Sequence, residues 1–160
     1  MTGGGSSIPE VQQLLAVLAT GKRVAEAGTA FGEAAEVMAR TAQSVLTVEL
    51  DPDRGAMAAQ RLEPYSNVEL LVGDWRELLP PRGPFQLVFL DGGGFKHAPS
   101  EGEELVLGLF EPGGVLVMDD MTPGRPGPDP VREWAFGHPQ LQAVEVLTTP
   151  TTSALIIARL

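Results

Sequence analysis

Short apolar runs alternate along the chain with segments whose apolar residues recur at helical spacing. Five of the runs have the length of strands and are bounded by turn residues, so they predict buried strands. These strands cover residues 24–27, 45–50, 68–72, 85–90 and 115–118. The segments between and after them predict helices. These helices cover residues 33–40, 51–62, 100–110 and 129–136, and Ser100 with Glu103 is expected to cap the third of them.

The N-terminal segment predicts a further helix. Ser7 and Glu10, on either side of Pro9, form a capping-box sequence, and apolar residues then follow at helical spacing until Gly21. The residues before it are small and polar, so we expect a flexible N-terminus over 1–7. Because no linker or repeat interrupts the 160 residues, the chain is predicted to form one domain over 1–160.

The C-terminal part predicts a loop and a hairpin. A segment rich in Pro and Gly at 121–130 is too restricted for a regular element. Two apolar runs at 143–147 and 154–158, joined by a polar connection, predict a closing hairpin. Together with the alternating strands and helices, this pattern predicts an α/β fold with a mainly parallel, doubly wound sheet. Its ligand is expected at the carboxyl ends of the strands.

Composition and charge narrow the classes of protein. No apolar run approaches the ~20 residues needed to span a bilayer, and no secretory signal precedes the first helix, so we expect a cytoplasmic protein with no membrane association. The formal charge of −10 would repel a phosphate backbone, which argues against nucleic acid as a partner. The chain has no cysteine, so a bound metal would need oxygen or histidine ligands.

Acidic residues stand at or near the end of each predicted strand. They are Glu26, Glu49, Asp74, Asp91, Asp119 and Asp120. Any one of them could simply cap a helix or a turn. As a group, they predict an acidic rim that hydrogen-bond donors or a cation would stabilise. S-adenosylmethionine offers both, since it carries ribose hydroxyls, an adenine amine and a positive sulfonium.

The glycine turn after the first strand favours S-adenosylmethionine over a nicotinamide dinucleotide as the ligand. A dinucleotide's pyrophosphate normally rests on a G-x-G-x-x-G turn, whereas the turn here has only Gly28 and Gly32, with Glu26 beside it. Glu49 ends the next strand about 20 residues on, where a carboxylate accepts hydrogen bonds from ribose hydroxyls.

At these residues the chain resembles the class I methyltransferases, in the form found in the catechol O-methyltransferase-like group. Residues 24–32 resemble their first motif, 47–51 their ribose-binding strand and 73–75 the turn beside adenine. The resemblance implies a Rossmann-like sheet of seven strands in the order 3-2-1-4-5-7-6, with strand 7 antiparallel. It also implies S-adenosylmethionine as cofactor. The implied contacts are Glu26, Ala27, Gly28, Thr29, Gly32, Glu49, Leu50, Asp74, Trp75 and Asp91.

Two further segments, 89–91 and 117–120, are similar to those that supply divalent cation ligands in that group. They imply a site for Mg²⁺ or another divalent cation at Asp91, Asp119 and Asp120. Relatives usually have Asp-Asn where this chain has two aspartates. Their catalytic lysine follows the fourth strand closely, whereas Lys96 here comes after three glycines. We take Lys96 as the candidate general base and Asp91 as a second catalytic residue.

The predicted reaction is methyl transfer to a hydroxyl group of a small molecule. Two alternatives stay open: an aminopropyltransferase-like enzyme, which also uses a sulfonium donor, and a module that binds S-adenosylmethionine without catalysis. The relatives carry a longer helical N-terminal region over the site, so here the site is either open or covered by another subunit. A dimer is common in the group, which makes a homodimer one expectation.

Overall fold

The computed structural model describes residues 5–91 and 94–160. Its strands are β1 (Arg23–Ala27), β2 (Ser44–Glu49), β3 (Val68–Val72), β4 (Phe85–Leu90), β5 (Phe110–Met121), β6 (Leu141–Leu147) and β7 (Ser153–Arg159). Its helices are α1 (Pro9–Leu18), α2 (Glu33–Ala39), α3 (Pro52–Leu62), α4 (Trp75–Leu78), α5 (Glu103–Leu109) and α6 (Pro130–Gly137). Single 3₁₀ turns lie at Pro80–Arg82 and Pro99–Glu101.

The strands form one sheet in the order β3-β2-β1-β4-β5-β7-β6, which confirms the predicted topology. The first five strands pair in parallel, and β7 runs antiparallel to both β5 and β6. The order reverses between β1 and β4, and the crevice at such a switch point is the usual ligand site of an α/β sheet.

A hydrophobic core packs on each face of the sheet. On one face, Leu15 of α1 and Met38 of α2 are fully buried against the central strands. On the other face, Trp75, Phe110 and Trp134 pack with residues of β4, β5 and α6. Burial on both faces explains why the central strands have continuous apolar sequences instead of alternating ones.

Three local predictions differ from the structure. The N-cap of α1 is Ile8 and no side chain caps it, so the predicted capping box at Ser7 does not form; the backbone carbonyl of Ser7 accepts a hydrogen bond from the Gln12 side chain. Gly102, not Ser100, precedes α5, because residues 99–101 form a separate 3₁₀ turn. Strand β5 begins earlier than predicted, because its glycines form an irregularity within the strand and do not end it. The irregularity lies between two residue pairs of the β4–β5 register, Phe85 with Phe110 and Leu87 with Val115.

Two expectations concern residues that the structure only partly describes. The N-terminus predicted to be flexible covers 1–7, and residues 1–4 of it lie outside the described part. Gly92 and Gly93, which separate Asp91 from Lys96, also lie outside it. Within residues 5–91 and 94–160, every helix is too short or too polar to cross a bilayer.

Candidate active site

A cavity of about 390 Å³ opens at the carboxyl ends of the parallel strands, at the predicted edge of the sheet. Six of the predicted cofactor contacts line it: Gly28, Glu49, Leu50, Asp74, Trp75 and Asp91. The sequence did not single out several other residues of its lining. They are Gly5, Ala30, Val48, Arg54, Gly73 and Arg76. Ala30, Val48 and Gly73 lie within the segments 24–32, 47–51 and 73–75 that resemble the family's motifs, and Arg76 directly follows the last of these segments. Their position in or beside the motifs is the signal that could have identified them.

Four predicted contacts do not line this cavity. Glu26 and Thr29 are buried and border a small adjoining cavity instead. Ala27 is fully buried, and its carbonyl accepts a hydrogen bond from the backbone of Asp91. Gly32 begins α2 with a left-handed φ of 84°, and a Cβ there would lie 3.4 Å from Ala58. These residues shape the turn and pack it against its neighbours.

Glu49 is held in place by the backbone around it. Its Oε2 accepts a hydrogen bond of 2.8 Å from the backbone N–H of Ala30, and its Oε1 accepts one of 3.0 Å from Asp51. Ala30 adopts a left-handed φ of 49°, and Arg54 lies 3.6 Å from Oε1. Since an ionised carboxylate has about four acceptor positions, Glu49 retains capacity for donors that enter the cavity.

The turn after β3 forms the opposite wall. The Asp74 carboxylate caps α4 and binds the Arg76 guanidinium through both oxygens, and this hydrogen bonding lowers the pKa of Asp74. Trp75 is 9% exposed, so it belongs to the core and also reaches the cavity. Leu50 faces the cavity with 72% of its surface exposed. Two apolar side chains therefore flank an acidic rim.

Asp91, Asp119 and Asp120 meet at one end of the cavity. One oxygen from each lies within 4.8 Å of the others, which places the predicted ligand set together. Asp119 is 2% exposed, and Asp120 holds a left-handed φ of 55° at the end of β5. Burial and the Asp119 charge raise the pKa of Asp91 to about 7. Burial also raises the pKa of Asp119, against the opposing effect of Lys96.

Lys96 reaches this cluster in spite of its displacement along the sequence. Its Nζ donates a hydrogen bond of 2.5 Å to the carbonyl of Asp119 and lies 3.7 Å from Oδ1 of the same residue. Phe95 next to it is buried, with its ring edge-on to Trp134 at 5.0 Å between centroids. The packing of Phe95 on Trp134 therefore holds Lys96 close to the carboxylates.

The segment before α1 also lies against the site. Ser7 is partly buried, and its side chain lies close enough to the Asp119 carboxylate to lower the pKa of Asp119, against the larger effect of burial. Gly5 borders the main cavity, and Ser6 and Ser7 border the small one beside Glu26. These contacts could not be predicted, because nothing in a polar terminal segment specifies where it folds back.

A divalent cation fits the carboxylate cluster by two observations. The donor atoms are all carboxylate oxygens, the ligands that Mg²⁺ and Mn²⁺ prefer, and one from each residue lies within 4.8 Å of the others. Oδ1 of Asp119 is buried without a hydrogen-bond partner among the described residues. A buried acceptor of this kind is costly unless a donor or a cation satisfies it.

Glu26 is a second buried carboxyl, behind the glycine turn. Its Oε2 accepts a hydrogen bond of 2.6 Å from Thr47, whose hydroxyl is 2.5 Å from that of Thr29. Oε1 has no hydrogen-bond partner in the described part of the chain. Complete burial raises the pKa of Glu26 to about 8, although the bond from Thr47 opposes the shift. At neutral pH, Glu26 is therefore mainly a neutral acid.

We expect this carboxyl to make the chain less stable as pH rises. The folded state keeps the Glu26 proton up to about pH 8, whereas an unfolded glutamate loses it near 4.5. Between these values the folded state binds more protons, so the free energy of unfolding falls with pH and levels off above the folded pKa. Thermal unfolding of Glu26→Gln should show a shallower decline than the parent chain, while the exposed control Glu63→Gln should keep the parent's slope. Equal slopes for all three proteins would contradict the assignment.

Comparisons with known proteins agree with this geometry. Residues 25–121 match the model of a family described as a methyltransferase domain. A protein-L-isoaspartate O-methyltransferase of Rhodopseudomonas palustris is 32% identical over 102 residues, which cover 62% of this chain and 45% of the relative. A catechol O-methyltransferase of Niastella koreensis is 31% identical over 120 residues, which cover 68% and 53%. The chain thus spans about half the length of the curated relatives it matches.

The fold has solved counterparts. The O-methyltransferase TomG from Streptomyces achromogenes, solved in complex with S-adenosylmethionine, superposes with a TM-score of 0.73 at 24% identity, over 99% of this chain and 83% of its own. The sheet order and the glycine turn with its acidic rim define the class I S-adenosylmethionine-dependent methyltransferases. The chain belongs to the methyltransferase-domain family, and within it resembles the catechol O-methyltransferase-like group.

Proposed function

We propose that the chain transfers a methyl group from S-adenosylmethionine to a hydroxyl oxygen of a small molecule. The observation that carries the proposal is the arrangement of the cavity. At one side, Glu49 offers a fixed carboxylate beside the glycine turn, and at the other, Asp91 and Asp120 border the same space. On this proposal, the cavity would take a ribose on one side and a second reactant on the other, acidic side.

The residues of the first side would position the cofactor. Glu49 would accept hydrogen bonds from the ribose hydroxyls, and Asp74 would provide acceptors for the adenine amine. Leu50 and Trp75, which line the same cavity, would offer apolar surface to the adenine ring. When bound, S-adenosylmethionine supplies an electrophilic methyl group on a sulfonium. The contribution of the protein is mainly alignment of the two reactants, which can lower a barrier by roughly 7 to 11 kcal/mol in favourable cases.

The residues of the second side would bind the acceptor and accept the proton of its hydroxyl group. Asp91, Asp119 and Asp120 would hold a divalent cation, which supplies a charge that lowers the pKa of a bound hydroxyl. Lys96 lies against the same carboxylates, with its Nζ 3.7 Å from Oδ1 of Asp119. This position would place it near a hydroxyl held at the cluster, which supports Lys96 as the general base that accepts the hydroxyl proton.

The cofactor assignment is tested by calorimetric titration of the purified chain. S-adenosylmethionine and S-adenosylhomocysteine should both bind, because each carries the ribose and adenine that Glu49 and Asp74 would recognise. NAD should not bind, since the turn lacks the glycine pair of a pyrophosphate site. Binding of NAD without binding of the sulfonium compound would overturn the proposal.

The acceptor is tested separately, with a donor labelled on its methyl group. Transfer to a catechol supports a small-molecule hydroxyl as the acceptor. An isoaspartyl peptide belongs in the same assay, because relatives with that activity match this chain. Labelling of the peptide alone would replace the proposed substrate. Aminopropyl transfer from a decarboxylated donor would replace the reaction, and donor binding without any transfer would leave a binding module.

A further inference from the structure

The two adjacent aspartates at the end of β5 reach the same site, which a regular strand does not favour. Successive side chains of a strand point to opposite faces of the sheet. Asp119 and Asp120 are neighbours in the sequence, yet one carboxylate oxygen of each lies within 4.8 Å of the other and of an oxygen of Asp91. The backbone of β5 therefore departs from regular geometry at this point.

The register between β5 and β7 shows how it departs. Met118 pairs with Leu155 and Met121 pairs with Ser153, so three steps along β5 correspond to two steps along β7. The extra residue forms a β-bulge, apart from the irregularity at the glycines of the same strand. A bulge bends its strand and changes the direction of the side chains within it. Asp120, with its left-handed φ of 55°, lies inside this bulge.

A regular ladder is the alternative arrangement of these residues. If β5 continued from Met118 without the extra residue, Asp120 would lie opposite Ser153, and Asp119 and Asp120 would point to opposite faces. Only one of the two carboxylates could then join Asp91 at a cation. The left-handed φ is also less favourable for a residue other than glycine. The bulge therefore needs contacts that hold it.

Arg132 of α6 supplies such contacts just beyond the bulge. Its Nη2 donates a hydrogen bond of 2.8 Å to the carbonyl of Thr122, the residue that follows Met121. The same guanidinium donates to both carboxylate oxygens of Glu145 on β6, at 2.9 and 2.5 Å. Oε1 of Glu145 also accepts a hydrogen bond of 2.5 Å from the hydroxyl of Ser153, the pairing partner of Met121. We call Arg132, Glu145 and Ser153 the Arg132 network.

The Arg132 network is fixed from several directions. Arg132 also pairs with Asp129, the N-cap of α6, so it holds both ends of the loop that follows β5. Ser153 is fully buried, and the side chains of Arg132 and Glu145 are only 17% and 23% exposed, so water competes little for these bonds. Two parallel hydrogen bonds between a guanidinium and a carboxylate fix orientation as well as distance. The network therefore holds the chain on the far side of the bulge.

We propose that Arg132 is a positioning residue for the metal site, because it holds the β5 bulge that turns Asp119 and Asp120 to the same side. It acts through the register of β5 and not through contact with the cation. The inference rests on the metal site of the proposed function. It adds a residue of α6 that lies outside both the sequence motifs and the lining of the main cavity.

Binding of Mn²⁺, followed by the paramagnetic resonance of the free ion, tests this role without any turnover. Arg132→Gln should bind Mn²⁺ at least about tenfold more weakly than the parent, because fewer chains keep the bulge once the charged hydrogen bonds are lost, and apparent affinity falls in proportion. Removal of a positive charge would by itself strengthen binding of a cation, so the two causes differ in sign. The affinity for S-adenosylmethionine should stay that of the parent, since Glu49 lies on β2.

Two further variants separate positioning from charge and from stability. Arg159→Gln removes the same charge at the other end of β7, together with two hydrogen bonds of 2.8 Å to the carbonyls of Leu107 and Phe110. It should lower the unfolding midpoint but bind Mn²⁺ at least as well as the parent. Arg132→Lys keeps the charge and only part of the hydrogen bonding, so its Mn²⁺ affinity should lie between those of the parent and of Arg132→Gln.

Unfolding midpoints show which variants are folded. If Arg132→Gln does not fold, Ser153→Ala replaces it, since this variant removes a single hydrogen bond to Glu145 and should weaken Mn²⁺ binding by a smaller factor. A folded variant of the network with the parent's Mn²⁺ affinity would overturn the inference alone, and so would an equal loss in Arg159→Gln. A parent chain that does not bind Mn²⁺ would overturn the metal site and this inference together.

Discussion

Glu49→Ala is expected to weaken binding of S-adenosylmethionine and S-adenosylhomocysteine by at least about tenfold. A charged acceptor contributes ~1.5 to 3 kcal/mol per hydrogen bond, and about 1.4 kcal/mol corresponds to a factor of ten. The backbone already fixes this carboxylate from two sides, so little ordering is needed when a ribose binds. Calorimetric titration of the variant and the parent measures the difference.

Two matched variants separate recognition from folding. Glu49→Gln keeps one carbonyl acceptor but loses the charge, so its affinity should lie between those of the parent and of Glu49→Ala. Glu63→Ala, at an exposed position just after α3, should bind as the parent does. Unfolding midpoints show whether the loss of Glu49 damages the turn that it holds. A folded Glu49→Ala protein with the parent's affinity would place the cofactor elsewhere.

The central part of the fold was predictable because its strands are buried on both faces. Residues 85–90 were identified with the bounds that the structure has, since a continuous apolar run between turn residues leaves few alternatives. The bounds of the edge strand, 68–72, were also predicted, although its residues are only partly buried. The exact sheet order came from the resemblance to methyltransferases and was confirmed. The irregularity in β5 was missed because Pro and Gly at 112–114 are typical of a turn, and only the neighbouring strand shows that pairing resumes on both sides.

The site was predictable to the extent that strand ends specify it. The rule that ligands lie at the carboxyl ends of parallel strands placed Glu49 and Asp91 on one cavity. The rule could not show that Glu26, the last residue but one of β1, is buried behind the glycine turn and does not lie on the acidic rim. It also could not show that Lys96 would return to the cluster, because this depends on burial of Phe95 against Trp134. Such contacts join segments that are distant in the sequence.

The metal hypothesis carries the largest expected effect. With a catechol as acceptor, a chelator should abolish methyl transfer, and Mg²⁺ or Mn²⁺ should restore it. The reason is the charge at the cluster: three carboxylate oxygens lie within 4.8 Å of one another, and the nearby cation of the chain, Lys96, lies 3.7 Å from a single oxygen of Asp119. A divalent cation would both neutralise the cluster and bind the acceptor oxygen.

Asp119→Ala distinguishes this role from a general loss of structure. The variant should lose methyl transfer and bind Mn²⁺ much more weakly, as followed by the paramagnetic resonance of the free ion, while S-adenosylmethionine still binds with the parent's affinity. Asp53→Ala, which removes an exposed carboxylate on α3, should leave both Mn²⁺ binding and transfer unchanged. Full activity of the parent in excess chelator would remove the metal from the mechanism. The buried oxygen of Asp119 would then serve as a hydrogen-bond acceptor for the substrate hydroxyl, with Lys96 as the cation beside it.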